Sequence, residues 1–303
     1  MSGFSLPEVD ALLSDKISET DATFFREHGV LLMKNVISPE ELAILKEESM
    51  ELVEKSKDPE LKDPDFKYAT HPSTDARVPF RIDYLTHKML SARVLLAHPF
   101  ILNSVEMLCG RNFIPTWESK VFKLAGTGAA VNWHRDAGPA LPDEAPVFFA
   151  DFYLDDADET TALRAIPGSQ KLSRADAMAR INALNEAEQF DGDDIVILPM
   201  KAGDVLFHNV HTLHGSPAAS SALRRVVYFA FRSIEVEKIT SPNMPAFIPA
   251  KQRVLAACMQ ARANAPYTQG ETPFVYAPDS EWAPPADETD FSDLNYRIPH
   301  LEL

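Results

Sequence analysis

The sequence predicts an α+β fold in which an antiparallel β-barrel or jelly roll follows a mainly helical N-terminal part. Two observations carry this prediction. Up to about residue 110 apolar residues recur largely at helical spacing, whereas from Trp117 onward short strand-forming runs alternate with Gly, Pro and Asp turns. Several short strands at irregular spacing are typical of a barrel or jelly roll.

The N-terminal part combines helix signals with one irregular stretch. Ser38, Pro39 and Glu41 form a helix start, with Ser38 as N-cap, Pro39 at the first helical position and Glu41 closing a capping box. Residues 57–88 are polar and punctuated by proline, so we expect an irregular region there. The other predicted elements are a mostly helical segment at 1–29 that stops at Gly29, a buried strand at 30–33 and a helix at about 89–109.

The barrel strands are predicted after Trp117. They lie at 118–124, 146–154, 194–198, 204–208 and 225–233, and a helix-like insertion at about 173–188 interrupts them. Because no internal repeat or low-complexity linker is present, the sequence predicts one domain. That domain covers 1–303, with mainly helical support at 1–110, the barrel core at 117–233 and an irregular C-terminal lid or interface at 240–303.

The segment from about residue 240 is rich in proline and shows no periodicity. Such a segment is typical of an ordered lid over a core or of an interface, which leaves a homodimer through this segment open. Its prolines are Pro242, Pro245, Pro249, Pro266, Pro273, Pro284 and Pro285.

Composition and charge limit the kinds of molecule that the protein is expected to bind. The chain is 45% hydrophobic and carries a formal net charge of −16, which disfavours nucleic acid and anionic membranes as partners. Cys109 and Cys258 are isolated, so neither a disulfide framework nor a thiolate metal site is expected. The N-terminus lacks the pattern of a signal peptide and no apolar run approaches membrane-spanning length. We therefore expect a cytoplasmic protein with a small-molecule substrate.

Two clusters of polar residues contain candidate metal ligands. In the first cluster, His134 and Asp136 are two residues apart, so both side chains point to the same side of an extended segment. The second cluster offers His208, His211 and His214. By strand parity His208 and His214 share a face and His211 takes the other, but parity alone does not choose between His211 and His214 as a ligand.

A strand after the second cluster carries a candidate anion-binding residue. Arg225, Val227, Phe229 and Phe231 alternate along it and share one face. An arginine on an apolar face needs a partner, because an unpaired buried charge is costly. A ligand carboxylate would supply that partner in bidentate geometry, and a protein carboxylate would do so equally well.

The order of these motifs resembles the phytanoyl-CoA dioxygenase family. The matching features are the His-x-Asp pair, the segment 203–216 (GDVLFHNVHTLHGS), an arginine eleven residues past His214, the opening at 24–31 (FFREHGVL) and 37–42 (ISPEEL), and 163–170 (LRAIPGSQ). The resemblance runs from about residue 20 to residue 233. It implies a double-stranded β-helix, a cupin-like jelly roll, with flanking helices.

The resemblance also implies roles for single residues. His134, Asp136 and His214 match the ligands of a catalytic Fe(II), and Arg225 matches the arginine that binds the distal carboxylate of the cosubstrate 2-oxoglutarate. Ser216 and Lys123 lie where the family often adds polar contacts to this cosubstrate.

The implied reaction is oxidation of a small molecule. Two histidines and one carboxylate leave three metal positions open, and by resemblance 2-oxoglutarate takes two and O2 the third. Decarboxylation to succinate and CO2 then yields an oxidant that abstracts hydrogen from a C–H bond, with hydroxylation as the default and desaturation, cyclisation or rearrangement as variants. Asp136 argues against halogenation, because halogenases of the superfamily have a small residue there.

Two other classes of function use the same residues differently. A metal-dependent hydrolase would activate water with the same three ligands, but it gives Arg225 no role. A catalytically inactive cupin-like binding module would share the fold, although such a member is expected to lose a ligand. For the substrate, a natural-product metabolite is as plausible as an acyl-CoA, which would need a basic patch such as Arg77, Arg81 and Lys88.

Overall fold

The structure, a computed structural model, describes residues 4–70, 74–124, 130–138, 141–142, 145–218, 223–240 and 247–284 and residue 291. Its helices are α1 Glu19–His28, α2 Pro39–Lys55, α3 Leu90–Leu96, α4 Pro99–Cys109, α5 Arg174–Glu186, α6 Ile234–Thr240 and α7 Phe247–Asn264. Its strands are β1 Glu8–Asp10, β2 Val30–Lys34, β3 Phe66–Thr70, β4 Arg77–Asp83, β5 Phe113–Lys123, β6 Val131–His134, β7 Phe148–Tyr153, β8 Leu163–Ala165, β9 Val196–Leu198, β10 Val205–Asn209, β11 His214–Ser216 and β12 Arg224–Ser233.

The strands form two sheets. The large sheet has the order β1-β2-β10-β7-β12-β5-β4-β3 and the small sheet has the order β6-β11-β8-β9. The named strand pairs are antiparallel except β1 with β2. This confirms the predicted α+β fold with an antiparallel jelly-roll core, although in the described part of the chain the two sheets do not close into one barrel.

The two faces of the large sheet have different neighbours. On the face that we call outer, Phe152, Phe207, Val227 and Phe229 belong to the main hydrophobic core with the helices. On the opposite face, which we call inner, strand residues pack against the small sheet; they include Leu206, Tyr153 and Val226 from the large sheet and Leu163, Ala165 and Leu198 from the small one. Alternate residues of each strand therefore serve either the core or the space between the sheets.

The predicted end of α1 and the predicted start of α2 are confirmed, with one difference at Glu41. Gly29 ends α1 in the left-handed conformation at φ 76°, where a side chain would meet Thr212. The Ser38 side chain accepts from the backbone N–H of Glu41, and Pro39 begins α2. Glu41 does not close a capping box, because its buried carboxylate pairs with Arg262 of α7 instead.

Parts of the N-terminal half depart from the prediction. Among the described residues 4–29, the helix covers only Glu19–His28, and β1 precedes it. The stretch 57–88 is not irregular throughout, because it contains the antiparallel pair β3–β4. The helix expected at 89–109 is two helices, since Pro99 disfavours the helical conformation at His98 and begins α4.

The C-terminal segment 240–303 was expected to be irregular, and this is wrong for Phe247–Asn264, the 18-residue helix α7. Pro249 lies in its first turn, where the missing N–H has no helical partner to lose. Val254, Leu255 and Cys258 are buried in the main core, so α7 supports the large sheet. Pro242, Pro245 and Pro285 lie outside the described residues.

Membrane-spanning potential is confined to one bent pair of helices. Within the ranges described above, no single helix is long and apolar enough to cross a membrane, and α3 with α4, bent by 47°, passes the test of length and composition only as a pair.

Candidate metal and cosubstrate site

His134 and His214 meet across the β6–β11 pair. They are directly opposite each other in the register, and their ring centroids lie 4.2 Å apart. The neighbouring Gly215 permits this approach, because a Cβ there would lie 3.0 Å from the carbonyl oxygen of Val131. The small sheet thus brings together two histidines that are 80 positions apart in the sequence.

The hydrogen bonds of both rings favour one tautomer. Nδ1 of His134 lies 2.8 Å from the carbonyl oxygen of Asn132, and Nδ1 of His214 lies 2.9 Å from that of Thr212. A carbonyl oxygen only accepts, so Nδ1 carries the proton in each neutral ring and Nε2 presents its lone pair. Such second contacts are typical of histidines that bind metals through Nε2.

Asp136 supplies the carboxylate of the cluster. Its Oδ1 lies 3.6 Å from Nε2 of His134, and its Oδ2 lies 3.6 Å from Nε2 of His214. One ligand atom from each of these three residues lies within 4.8 Å of the others. Two imidazole nitrogens and one carboxylate oxygen on one side of a site suit a non-haem Fe(II) centre, so the donor set fits the predicted metal.

The protonation of these groups follows from burial and mutual charge. Burial opposes ionisation of Asp136, but the charges and hydrogen bonds of the neighbouring histidines hold its pKa well below the ordinary value. Burial, helped by the charge of His134, lowers the pKa of His214 to about 3. A carboxylate and a neutral imidazole are the forms that bind a metal.

His208 lies beside the cluster without belonging to it. Its Nε2 is 3.0 Å from Oδ2 of Asp136 and its Nδ1 is 2.8 Å from Oδ2 of Asp151. Burial disfavours the charged ring, but the two carboxylates prevail and raise the pKa of His208 to about 10. With a proton on each nitrogen, His208 donates to both carboxylates and offers no lone pair to a metal.

His211 is excluded from the cluster by the local chain path. Strand β10 ends at Asn209 and β11 begins at His214, so His211 lies in the turn between them and strand parity does not apply across it. Its Nε2 lies 3.1 Å from the carbonyl oxygen of Pro142. Of the two histidines left open by spacing, the structure brings His214 to His134 and Asp136.

Arg225 does not face the metal site, contrary to the role that the family resemblance implies. It points to the outer face, where its Nε and Nη2 each lie 2.8 Å from an oxygen of Asp155 and its Nη1 donates to the backbone carbonyl of Lys46. Val227, Phe229 and Phe231 of the same face pack in the main core. The protein carboxylate, and not a ligand, is the partner of Arg225.

Arg224 occupies the inner face instead. It is the register partner of Lys123, and its Nη1 donates to the carbonyl oxygen of Thr161. The Nζ of Lys123 lies 2.9 Å from Oγ of Ser216 and 2.7 Å from the carbonyl oxygen of Pro217. Arg224, Lys123 and Ser216 thus form a polar cluster two residues along β11 from His214.

Burial affects the charge of this polar cluster. Burial, together with the positive charge of Arg224, lowers the pKa of Lys123 to about 7. The arginine stays charged, because guanidinium does not deprotonate in proteins. Two adjacent buried cationic groups with one hydroxyl are suited to an anion that neutralises them.

Four aromatic residues near the metal cluster, Trp133, Phe149, Tyr153 and Phe231, divide between the site and the core. Phe149 is half-buried and stacks against the His208 ring at 5.3 Å between centroids, and Tyr153 is buried on the inner face. Trp133 is buried in a small core with α5, and Phe231 belongs to the main core. Phe149 therefore lies beside the metal cluster, whereas Trp133 and Phe231 have structural roles.

A family model described as phytanoyl-CoA dioxygenase (PhyH) matches residues 25–227. The chain belongs to the phytanoyl-CoA dioxygenase family. The matched range contains the metal cluster, Lys123, Ser216 and Arg224. The chain matches no curated protein.

Several solved structures have a similar fold. AviO1 from Streptomyces viridochromogenes Tue57 has 25% sequence identity, with 72% of this chain and 95% of that chain covered and a TM-score of 0.60. The non-heme alpha-ketoglutarate-dependent carbocyclase SnoK from nogalamycin biosynthesis has 22% identity, with 72% and 84% covered and a TM-score of 0.57. EctD from S. alaskensis, solved with 2-oxoglutarate and 5-hydroxyectoine, has 18% identity, with 73% and 77% covered and a TM-score of 0.58.

Family membership and the His-Asp-His cluster support an oxygenase that depends on iron and 2-oxoglutarate. Sequence reasoning missed Arg224 and Asp151, and it named His208 only as a candidate ligand and not as a partner of Asp136 and Asp151. For Arg224 a signal was present: Val227, Phe229 and Phe231 mark the face of β12 that packs on the core, so the other face, with Arg224 and Tyr228, borders the site.

Proposed function

We propose that this protein is an Fe(II)- and 2-oxoglutarate-dependent dioxygenase that oxidises a small-molecule metabolite, with hydroxylation as the default outcome. The observation that carries the proposal is the pairing of two clusters on one side of the molecule. His134, Asp136 and His214 converge at one point, and the polar cluster of Arg224, Lys123 and Ser216 lies on the same inner face.

His134, Asp136 and His214 would hold the metal through two Nε2 atoms and one carboxylate oxygen. When bound, Fe(II) with 2-oxoglutarate and O2 supplies the oxidising power for attack on a C–H bond. His208 keeps Asp136 oriented through its hydrogen bond to Oδ2, while Asp151 fixes the other side of the His208 ring.

Arg224 would bind the distal carboxylate of 2-oxoglutarate in place of Arg225, with Lys123 and Ser216 as additional donors. The separation suits this cosubstrate, because Ser216 follows the ligand His214 by two residues on one short strand. A dicarboxylate could bind the metal through one end and accept hydrogen bonds from the polar cluster at the other. Tyr153 and Val226, on the inner face of the same strand pair, offer walls for its carbon chain.

The proposal is tested by anaerobic preparation of the protein followed by addition of Fe(II), 2-oxoglutarate and O2 in turn. We expect succinate and CO2 only when all three are present, and we expect His134→Ala and His214→Ala to abolish their formation. His211→Ala is the matched control and should retain it. A protein that hydrolyses esters or phosphates with the same metal, and forms no succinate, would be a metal-dependent hydrolase and would overturn the proposal.

A further inference from the structure

The ring of His134 is oriented through a single peptide unit. Its Nδ1 lies 2.8 Å from the carbonyl oxygen of Asn132. That carbonyl group and the N–H of Trp133 belong to the same planar peptide unit, so they turn together. The N–H of Trp133 donates to Oδ1 of Asn185 at 2.8 Å. A continuous chain of hydrogen bonds therefore runs from the Asn185 side chain, through one peptide unit, to the ring of a candidate metal ligand.

Asn185, which belongs to α5, also holds the following peptide unit. Its Nδ2 donates to the carbonyl oxygen of Trp133 at 3.0 Å, and that carbonyl shares a peptide unit with the N–H of His134. Among the strands that the structure describes, β6 is at the edge of the small sheet, and the backbone groups on the outer side of an edge strand need other partners. One amide side chain thus takes the place of a neighbouring strand and fixes the backbone on both sides of Trp133.

The ring of His214 is held by the same arrangement. Its Nδ1 lies 2.9 Å from the carbonyl oxygen of Thr212, and the N–H of Leu213, in the same peptide unit, donates to Oγ of Ser169 at 2.8 Å. The Ser169 hydroxyl donates in turn to the carbonyl oxygen of Ile166 at 2.5 Å, which directs a lone pair of Oγ to the N–H of Leu213. The carbonyl oxygen of Leu213 accepts from the N–H of Ile166 at 3.0 Å. Both backbone groups of the residue before the ligand are again held.

The two residues that precede the histidines share one small core. The side chains of Trp133 and Leu213 are both buried in it, against α5. The other buried members of this core are Ile166, Ala177, Ile181 and Leu184. The Trp133 ring also donates through Nε1 to the carbonyl oxygen of Gln189 at 2.6 Å and stacks on Phe190 with 6.0 Å between centroids. Helix α5 and the turn that follows it are therefore fixed against both segments that carry a histidine ligand.

We infer that Asn185 and Ser169 are positioning residues for the metal site, and that each orients one of its two histidines through a single peptide unit. This inference rests on the metal site of the proposed function and extends it to the residues behind the ligands. Linked hydrogen bonds polarise one another, so an N–H that donates makes the carbonyl of its own peptide unit a stronger acceptor. A stronger acceptor at Nδ1 fixes the direction of the ring and makes Nε2 a better electron-pair donor to a metal.

The test is anaerobic titration with Co(II), followed by proton NMR of the Co(II)-loaded protein in ordinary water. Asn185→Leu removes the amide at similar size, and Ser169→Ala removes the hydroxyl. We expect each variant to bind Co(II) about three- to tenfold more weakly than the wild type. In the wild type the exchangeable Nδ1 protons of His134 and His214 should each give a signal shifted by the metal. Asn185→Leu should shift one of these signals and speed its exchange with water, and Ser169→Ala should do so to the other.

Arg180→Gln is the matched control, since it breaks a surface ion pair with Asp194 on the same helix and should leave Co(II) affinity and both signals unchanged. Urea unfolding establishes that each variant is folded, and the half-buried Asn185 decides the test if Ser169→Ala does not fold. Unchanged affinity and signals in Asn185→Leu would overturn the inference, as would equal changes in both signals, which a general loosening of the fold would give.

This measurement needs neither 2-oxoglutarate nor turnover. Weaker Co(II) binding with a change in one signal per variant, in a protein whose wild type forms no succinate, would therefore support the inference and contradict the proposed function alone.

Discussion

Nε2 of His208 lies 3.0 Å from Oδ2 of Asp136, and the same ring is anchored on its other side by Asp151. We predict that His208→Gln weakens metal binding by about 10- to 100-fold, because Asp136 loses the contact that orients its carboxylate. The measurement is anaerobic titration with Co(II) or Fe(II). His211→Gln is the control, since His211 contacts Pro142 rather than the metal cluster. Equal affinity in His208→Gln and wild type would contradict this role.

The two adjacent arginines of β12 should have opposite mutant phenotypes. Arg224→Met should weaken 2-oxoglutarate binding by at least about tenfold while the protein stays folded, because a charge-assisted contact to the distal carboxylate is lost. Arg225→Met should retain 2-oxoglutarate binding but lower the free energy of unfolding by about 3 kcal/mol, because it leaves Asp155 without its partner. Equilibrium dialysis and urea unfolding measure the two effects. The reverse pattern would restore Arg225 as the cosubstrate-binding residue.

Asp83 should make a defined contribution to the pH dependence of stability. Burial raises the pKa of its carboxyl to about 6, from an ordinary value of 3.8. The folded state therefore holds this proton more tightly than the unfolded state, and the stabilising contribution is lost as the pH rises through about 6. Between pH 4 and pH 7.5 the free energy of unfolding of the wild type should fall by about 2 kcal/mol relative to Asp83→Asn. Parallel pH profiles of the two proteins would refute this assignment.

Helix α7 should depend on one buried ion network. Nη1 of Arg262 lies 3.0 Å from Glu41 of α2, and its Nη2 lies 2.8 Å from Glu271. We predict that Arg262→Met lowers the free energy of unfolding by about 3 to 5 kcal/mol in urea, since it leaves a buried carboxylate unpaired. Lys57→Met, which breaks the exposed pair with Glu54, should change it by less than about 1 kcal/mol. Similar losses in both variants would show that the network does not hold α7.

The elements with strong local signals were predictable from the sequence. The start of α2, which Ser38 caps, depends on residues that are close in sequence. The same holds for the strands with alternating apolar residues, and these elements lie close to their predicted positions. The C-terminal helix α7 was missed because the prolines of the segment 240–303 suggested an irregular chain, whereas Pro249 occupies the first turn of α7, which tolerates it.

The site was predictable only where ligands are close in sequence or supported by resemblance. His134 and Asp136 share one short segment, and His214 was chosen over His211 by the family motif. Arg225 was correctly placed on the face of Val227 and Phe229, but the cosubstrate role was assigned to it by counting residues past His214, which crosses a loop, while the face of a strand depends on parity. The His208 contact with Asp151 is made by side chains of paired neighbouring strands, and no sequence spacing encodes it.

The central claim is that His134, Asp136 and His214 bind Fe(II) and that 2-oxoglutarate joins it on the same face. Its most direct test is the visible absorption of the anaerobic protein. We predict a charge-transfer band that appears only when Fe(II) and 2-oxoglutarate are both added, disappears in His214→Ala and persists in His211→Ala. A wild-type protein without this band, or a band lost in His211→Ala and kept in His214→Ala, would contradict the account.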